Sequence, residues 1–171
     1  MDKARCEWVN GADPLMVEYH DREWGLPVHD DRQHFEFLVL EAAQAGLSWS
    51  TVLRKREGYR KAFSDFDPEK VARYTDRKIE KLLLDPSIIR NRLKVQAAVR
   101  NAKHFLAVQE EFGSFDAYCW RFVDGKPLDG RRKGSGDTPA TSLQSDAFSK
   151  DLKSRGFSFV GSTVITPTCR R

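Results

Sequence analysis

Apolar residues recur at helical rather than strand spacing along most of the chain. The clearest stretch covers residues 33–45, where one helix face carries Phe35, Leu38, Val39 and Ala42. Gly46 follows directly and predicts the end of this helix. A longer apolar stripe ends before Gly113 and consists of Val95, Ala98, Val99, Ala102 and Leu106.

Capping residues divide the chain into further helices. The predicted amino-terminal caps are Ser48, Asp67 (before Pro68), Thr75, Ser114 and Ser145. The segment 85–87, Asp-Pro-Ser, interrupts the helical pattern, and Gly156 predicts the end of the last clear helix.

The sequence predicts an all-α protein with short connections. Only residues 157–160 alternate as a strand does, and four residues are too few to build a sheet. Residues 124–141 are rich in Gly, Pro, Ser and Arg and are predicted to form a loop. A chain of 171 residues is long enough for one domain or for two small lobes that share a core.

Composition excludes several classes of protein. The chain is 40% hydrophobic and 32% charged, which is typical of a folded soluble protein. No stretch approaches the roughly 18 apolar residues that cross a membrane, and residues 1–6 do not resemble a signal peptide. Three widely spaced cysteines favour a reducing cytoplasm. The net charge of +4 permits nucleic-acid binding without establishing it.

A carboxylate lies on the most apolar of the predicted helices. Glu41 has Phe37 and Leu38 one turn before it and Ala45 one turn after it. Such a carboxylate is either buried, where it serves a function or pairs with a cation, or lies at the edge of the stripe and faces water. The pattern alone does not decide between these alternatives.

Three of the four tryptophans occur within the first fifty residues. Trp8, Trp24 and Trp49 are each explained most simply as core residues, because aromatic side chains bury large areas. Their placement also fits a second interpretation, in which they line a binding pocket. Trp49 comes directly after the turn that ends the Glu41 helix, and Tyr19 is close to Trp24 in the sequence. Converging aromatic faces attract a flat cationic heterocycle.

These motifs and their spacing resemble 3-methyladenine DNA glycosylase I, a bacterial family of the helix-hairpin-helix superfamily. The matching segments are residues 6–8 (CEW), 18–25 (EYHDREWG), 40–49 (LEAAQAGLSW), 66–68 (FDP), 88–92 (IIRNR) and 152–161 (LKSRGFSFVG). The resemblance covers about residues 4–164, a length that chance does not explain.

The resemblance implies a fold and an activity. Residues 1–171 form one two-lobed glycosylase domain, with the base pocket between the lobes. About residues 66–125 form the hairpin lobe, and the two ends of the chain form the other. The implied activity is hydrolysis of the N-glycosidic bond of 3-methyladenine in alkylated double-stranded DNA, without a lyase step or an organic cofactor. The implied protein is a cytoplasmic monomer with no membrane partner, and free 3-methyladenine is its product.

The resemblance also assigns the pocket. Glu41 corresponds to the glutamate that hydrogen-bonds the excised base, and Trp49 to the tryptophan that stacks on it. The remaining pocket residues by resemblance are Tyr19, Trp24 and Trp8. Met16 stands where well-known members have a pocket tyrosine, which leaves the predicted cage less aromatic.

Residues 85–94 correspond to the hairpin turn that contacts DNA phosphate in the superfamily. The predicted DNA-binding residues are Ile88, Arg90, Arg92 and Lys94, through backbone N–H groups and positive charge. Without the resemblance, a plain helix connection with a solvated basic face explains this segment better. Leu47, at the tip of the turn after the Glu41 helix, is predicted to fill the gap that a flipped base leaves.

Cys6 and His20 match two ligands of a structural zinc site in the family. The histidine and cysteine that complete this site near the carboxyl terminus are absent, although Cys169 could add a third ligand. Pro167 is expected to discourage a helix there. The sequence therefore predicts at most an incomplete zinc site.

Three functions remain open at the level of sequence. The first is an active 3-methyladenine glycosylase, and the second is a DNA-binding module of the same fold whose catalysis is weakened by the altered end and by Met16. The third is a helical interaction protein in which all the tryptophans are core residues. Glu41, Tyr19, Trp24 and Trp49 together favour the first.

Overall fold

The described part of the chain is entirely helical in its regular structure. The computed structural model describes residues 5–9, 11, 13–127 and 139–169, the last four as backbone only. Its α-helices are α1 Pro14–Arg22, α2 Asp31–Gln44, α3 Trp49–Ala62, α4 Pro68–Val71, α5 Asp76–Leu82, α6 Arg92–Phe112, α7 Phe115–Trp120, α8 Leu143–Ser154 and α9 Ser162–Cys169. Short 3₁₀ turns cover Glu7–Val9, Ser64–Phe66 and Arg121–Val123. The all-α prediction is confirmed for these residues.

Most predicted helix boundaries are confirmed by the hydrogen bonds of their caps. The side chains of Ser48, Asp67, Thr75 and Ser114 each accept a backbone N–H at the start of the helix that they were expected to cap. Helix α6 ends at Gly113, whose φ of 86° lies in the left-handed region that glycine tolerates. Most of the predicted loop, residues 128–138, lies outside the described residues.

The predicted cap of α8 is wrong by three residues. Ser142 is the cap and accepts the Ser145 N–H at 3.1 Å, while the Ser145 hydroxyl accepts the Ser142 N–H at 2.8 Å. This reciprocal pair is a capping box, in which the residue of the first turn resembles the cap itself.

Helices α1 and α9 are not among the helices predicted from the sequence. Helix α1 begins with Asp13 as its cap and Pro14 as its first residue, the same signature that starts α4. Helix α9 continues through Pro167, contrary to expectation. A proline removes only one backbone bond from so short a helix, and α9 packs against both α2 and α8.

Helix α2 is the centre of the fold. Every residue from His34 to Ala43 is buried, because α3, α6, α7 and α9 surround the helix. The buried carboxylate of Glu36 accepts hydrogen bonds from Arg56 at 2.7 Å and Arg60 at 3.1 Å. Burial alone would lower the pKa of Arg56, but its bonds with Glu23 and Glu36 raise the pKa overall, so the guanidinium stays charged.

Helix α3 packs directly against the backbone of the turn that joins α5 to α6. The Lys55 ammonium donates to the Pro86 carbonyl at 2.8 Å, and the Ile89 N–H donates to the Tyr59 hydroxyl at 3.3 Å. Between these contacts lies Gly58, where an added Cβ would be 2.2 Å from the Ser87 carbonyl oxygen. A side chain at position 58 is therefore excluded by the hairpin backbone.

None of the described helices has the length and apolar character needed to cross a membrane.

Replacing Gly58 with alanine is expected to destabilise the protein despite the helix propensity of alanine. Alanine in a helix gains about 1 kcal/mol over glycine, whereas forcing a methyl group into a packed contact costs about 1–3 kcal/mol. The free energy of unfolding, measured by urea titration, should fall for Gly58→Ala. The control is Gly161→Ala, where no atom lies within 4 Å of the added Cβ and stability should not fall. A Gly58→Ala protein as stable as the wild type would show that α3 and the hairpin separate easily.

Candidate functional site

Seven side chains from the first 49 residues line one cavity of about 240 Å³. This volume lies just below the roughly 300–1,000 Å³ of sites for drug-sized ligands, so it suits a single heterocyclic base. The lining residues are Trp8, Met16, Tyr19, Trp24, Glu41, Gln44 and Trp49. The structure thus brings together all six residues predicted for the pocket and adds Gln44. None of the seven comes from residues 66–125, the predicted hairpin lobe. The lining therefore gives no support to the prediction that the pocket lies between two lobes.

Three neighbouring elements place these side chains. Helix α1 contributes Met16 and Tyr19 at a spacing of three residues, which puts them on one face. Glu41 and Gln44 share a face near the end of α2 in the same way. The turn 45–48 then reverses the chain, so that Trp49, the first residue of α3, returns to the cavity.

Glu41 is buried rather than exposed to bulk water. Only 4% of it is accessible, and it lines the cavity from α2. The interpretation that Glu41 lies at the edge of the stripe and faces water is therefore wrong. A carboxylate in such surroundings favours ligands that present hydrogen-bond donors.

The aromatic side chains form two contacting pairs around the cavity. Tyr19 and Trp49 have ring centroids 5.3 Å apart, and Trp8 and Trp24 have centroids 5.6 Å apart in an edge-to-face arrangement. Trp8 is 39% exposed, which rules out the simple interpretation that it belongs to the core. The indole N–H of Trp49 is buried and meets no acceptor among the described residues, which is uncommon for a buried polar group.

The turn after α2 is held by Gln44, which sequence patterns do not single out. Its side-chain amide donates to the Leu47 carbonyl at 2.8 Å, and its own carbonyl accepts the Leu47 N–H at 2.7 Å. Leu47 itself is 39% exposed at the tip of this turn. Gln44 therefore lines the cavity and also bonds to Leu47, the residue predicted to fill the gap that a flipped base leaves.

The four residues predicted to bind DNA occupy different positions in the hairpin. Ile88 is 1% exposed and packs in the core, so only its backbone could contact a ligand. Arg92 forms an ion pair with Glu80 across the hairpin. Arg90 is exposed and makes no ion pair among the described residues. Lys94 turns away from the hairpin surface, and its ammonium donates to two carbonyls at the end of α2.

Comparisons with known proteins agree with this geometry. The family model described as methyladenine glycosylase matches residues 8–168. The DNA-3-methyladenine glycosylase 1 of Escherichia coli (strain K12) is 46% identical over 160 residues, which are 94% of this chain and 85% of that protein. The chain belongs to the methyladenine glycosylase family.

Solved structures of the family share its fold. A crystal structure of 3-methyladenine DNA glycosylase I superposes with a TM-score of 0.91 at 46% identity, covering 98% of this chain and 89% of that one. A variant of 3-methyladenine DNA glycosylase I in complex with 3-methyladenine superposes with a TM-score of 0.90 at 39% identity, covering 92% and 86%.

The zinc site expected from the resemblance to this family is not supported by the described residues. The Cys6 N–H donates to His20 Nε2 at 3.4 Å, and the other ring nitrogen of His20 lies 3.0 Å from Asp21. Among the side chains that the structure describes, no three His, Cys, Asp or Glu residues are placed to hold a metal ion. The side chain of Cys169 lies outside this set. Two ligands do not satisfy a metal that takes four.

His20 instead contacts two walls of the cavity. Its ring stacks on Trp24 at 5.4 Å and meets Trp8 edge-on at 5.3 Å. Asp21 links this cluster to Arg5, and hydrogen bonds from Arg5 and His20 hold the pKa of the Asp21 carboxyl well below its usual range. His20 thus fixes the relative positions of the two tryptophans.

Replacing His20 with alanine is expected to release Trp8 and Trp24 from each other. Their indoles then become more accessible to water, so tryptophan emission should shift to longer wavelength and acrylamide quenching should increase. The control is His104→Ala, because His104 contacts Phe157 and not the tryptophan cluster. Unchanged quenching in His20→Ala would mean that the tryptophans are held by other contacts.

Proposed function

We propose that this protein is a DNA-3-methyladenine glycosylase, which hydrolyses the N-glycosidic bond of 3-methyladenine in alkylated duplex DNA. The observation that carries the proposal is the buried Glu41 carboxylate facing a cavity lined by Tyr19 and three tryptophans. The fold and family support it, since a relative of this fold is known in complex with 3-methyladenine.

The chemistry of the damaged base matches these residues. Methylation at N3 places a positive charge on the adenine ring, and the aromatic faces attract such a cation. The Glu41 carboxylate accepts a hydrogen bond from the exocyclic amino group and favours the same charge. When the bond between N9 and the sugar breaks, the base takes its electrons and leaves as a neutral molecule, so no strong general acid is required. Water then adds to the sugar carbon and loses a proton.

The start of α6 provides a place for a DNA phosphate. The N–H groups of Arg92 and Leu93 point out of its first turn and meet no acceptor among the described residues. Such donors, with the positive end of the helix dipole, bind phosphate oxygens without sequence preference. Arg90 adds an exposed positive charge beside them.

Three finer features belong to the same proposal. The reaction is monofunctional, because no lysine is among the described side chains that line the cavity and could form a Schiff base. The enzyme acts as a cytoplasmic monomer, and about residues 66–125 form a separate hairpin lobe. Support for these last features comes from the resemblance to the family alone.

The alternative is a DNA-binding module that has lost efficient catalysis. Met16 favours it, because this side chain lines the cavity where well-known members have a tyrosine. A methionine still packs against a flat ring through its polarisable sulfur. The complete set of Glu41, Tyr19, Trp24 and Trp49 in the cavity therefore favours the active enzyme.

Replacing Glu41 with glutamine is expected to weaken binding of free 3-methyladenine about 10- to 100-fold, because a hydrogen bond to a charged group contributes about 1.5–3 kcal/mol. Binding is measured by tryptophan fluorescence, and excision by release of free base from methylated duplex DNA. Glu110→Gln, which removes an exposed charge from α6, serves as the control. Wild-type binding and excision in Glu41→Gln would refute its role. A folded wild-type protein that binds DNA but releases no base would establish the binding-module alternative.

Replacing Leu47 with glycine is expected to slow excision from duplex DNA by at least about tenfold, since burying a leucine side chain contributes roughly 1.5–3 kcal/mol. Affinity for the free base should not change, because Leu47 does not line the cavity. The matched control is Leu143→Gly, another exposed leucine outside the cavity. Equal excision rates for the two variants would exclude Leu47 as the residue that fills the gap.

A further inference from the structure

The side chain of Lys94 connects the hairpin to the end of the pocket helix. Lys94 lies in the first turn of α6, whose cap is Asn91. Its ammonium donates to the carbonyl of Ala43 at 2.8 Å and to that of Ala45 at 2.6 Å. These carbonyls are about fifty residues away in sequence, at the carboxyl end of α2.

Helix α2 needs a cation at this end. The last carbonyls of a helix have no partners within it, and they form the negative end of the helix dipole. The last turn of α2 contains no basic residue of its own. Lys94, which belongs to α6, supplies the positive charge and the hydrogen-bond donors that the last turn of α2 lacks.

The same contacts fix the turn that carries Leu47. Lys94 holds the turn where it leaves α2, at Ala45, while Gln44 holds the Leu47 backbone through both its amide and its carbonyl. Ser48 then caps α3 and closes the turn. Leu47 is therefore exposed on a backbone whose carbonyls are bound on both sides of it.

These contacts also argue against the role predicted from the sequence. An ammonium has three donors, and two of those of Lys94 are used by carbonyls. Lys94 is partly buried, which lowers the pKa of its ammonium. A phosphate could therefore accept only from the one remaining donor of Lys94.

We propose that Lys94 is a positioning residue that ties the turn bearing Leu47 to the hairpin, rather than a phosphate contact. This inference rests on the proposed function and adds a mechanical link to it. A phosphate held at the start of α6 lies at a set distance from Leu47, because Lys94 belongs to the same first turn. Binding of the DNA phosphate by α6 and insertion of Leu47 into the base stack then occur together.

The first test compares Lys94→Met with Lys103→Met, which removes an equal charge from an exposed position nine residues along α6. Lys94→Met should slow single-turnover excision from duplex DNA about tenfold, the effect of losing a charged hydrogen bond. Free 3-methyladenine should bind both variants equally. The dependence of DNA affinity on salt should also match, whereas loss of a phosphate contact lowers its slope by about 0.9. A lower slope in Lys94→Met alone would overturn the proposal.

Lys94→Arg separates the two roles by geometry. Arginine keeps the positive charge and binds phosphate well, but its larger planar guanidinium does not reproduce the geometry of a compact ammonium that lies, partly buried, between two carbonyls. Slow excision by Lys94→Arg supports the positioning role. Full rescue by arginine contradicts it.

A double-mutant cycle with Leu47→Gly identifies the route of the effect. If Lys94 acts through Leu47, adding Lys94→Met to Leu47→Gly should slow excision by less than about twofold more. Fully multiplied effects would show that Lys94 acts elsewhere.

Hydrogen exchange provides a measurement that is independent of catalysis. The N–H of Leu47 should exchange faster in Lys94→Met than in Lys103→Met, because the turn loses its anchor. Unchanged exchange there would remove the basis of the proposal, whatever the activity. Failure of the wild-type protein to release any base would overturn the proposed function instead, and the two failures are therefore distinct.

Discussion

The burial of two carboxylates on one central helix is the constraint on which the rest of the structure depends. Glu36 and Glu41 lie five residues apart on α2 and are each at most 5% exposed. Removing a carboxylate from water is costly unless a partner compensates. Glu36 is compensated by Arg56 and Arg60. Glu41 lines the cavity in which we propose that the damaged base binds.

Helix α3 contacts the cavity, the buried Glu36 carboxylate and the hairpin. Its first residue, Trp49, forms part of the cavity, its second half supplies the arginines that neutralise Glu36, and Gly58 and Tyr59 contact the hairpin. Lys94 returns from the hairpin to the end of α2. The helices and the turn therefore form a closed ring of contacts, so no member can shift without displacing the others.

Sequence reasoning succeeded for several local interactions and failed for the long-range contacts of Lys94. The caps of α3, α4 and α5 depend on residues two or three positions away, and they were predicted correctly. The charge of Lys94 is visible in the sequence, but its partners lie about fifty residues distant, and the expected contact was a phosphate. The pocket residues were identified through the family motif, since helical periodicity does not distinguish a cavity wall from the core. No periodic pattern marks Gln44, whose bonds lie within a single turn.

The contact between Gly58 and the Ser87 carbonyl has an evolutionary consequence. A hairpin turn on a protein surface ordinarily tolerates insertions and deletions. Here the turn backbone packs against Gly58 of α3 at Ser87. Lys55 and Tyr59 are hydrogen-bonded to the turn backbone at Pro86 and Ile89, on either side of this contact. One extra residue would move those carbonyl and amide groups out of register with all three partners. The length of this turn is therefore constrained together with position 58, and the two should change only in concert among descendants of this chain.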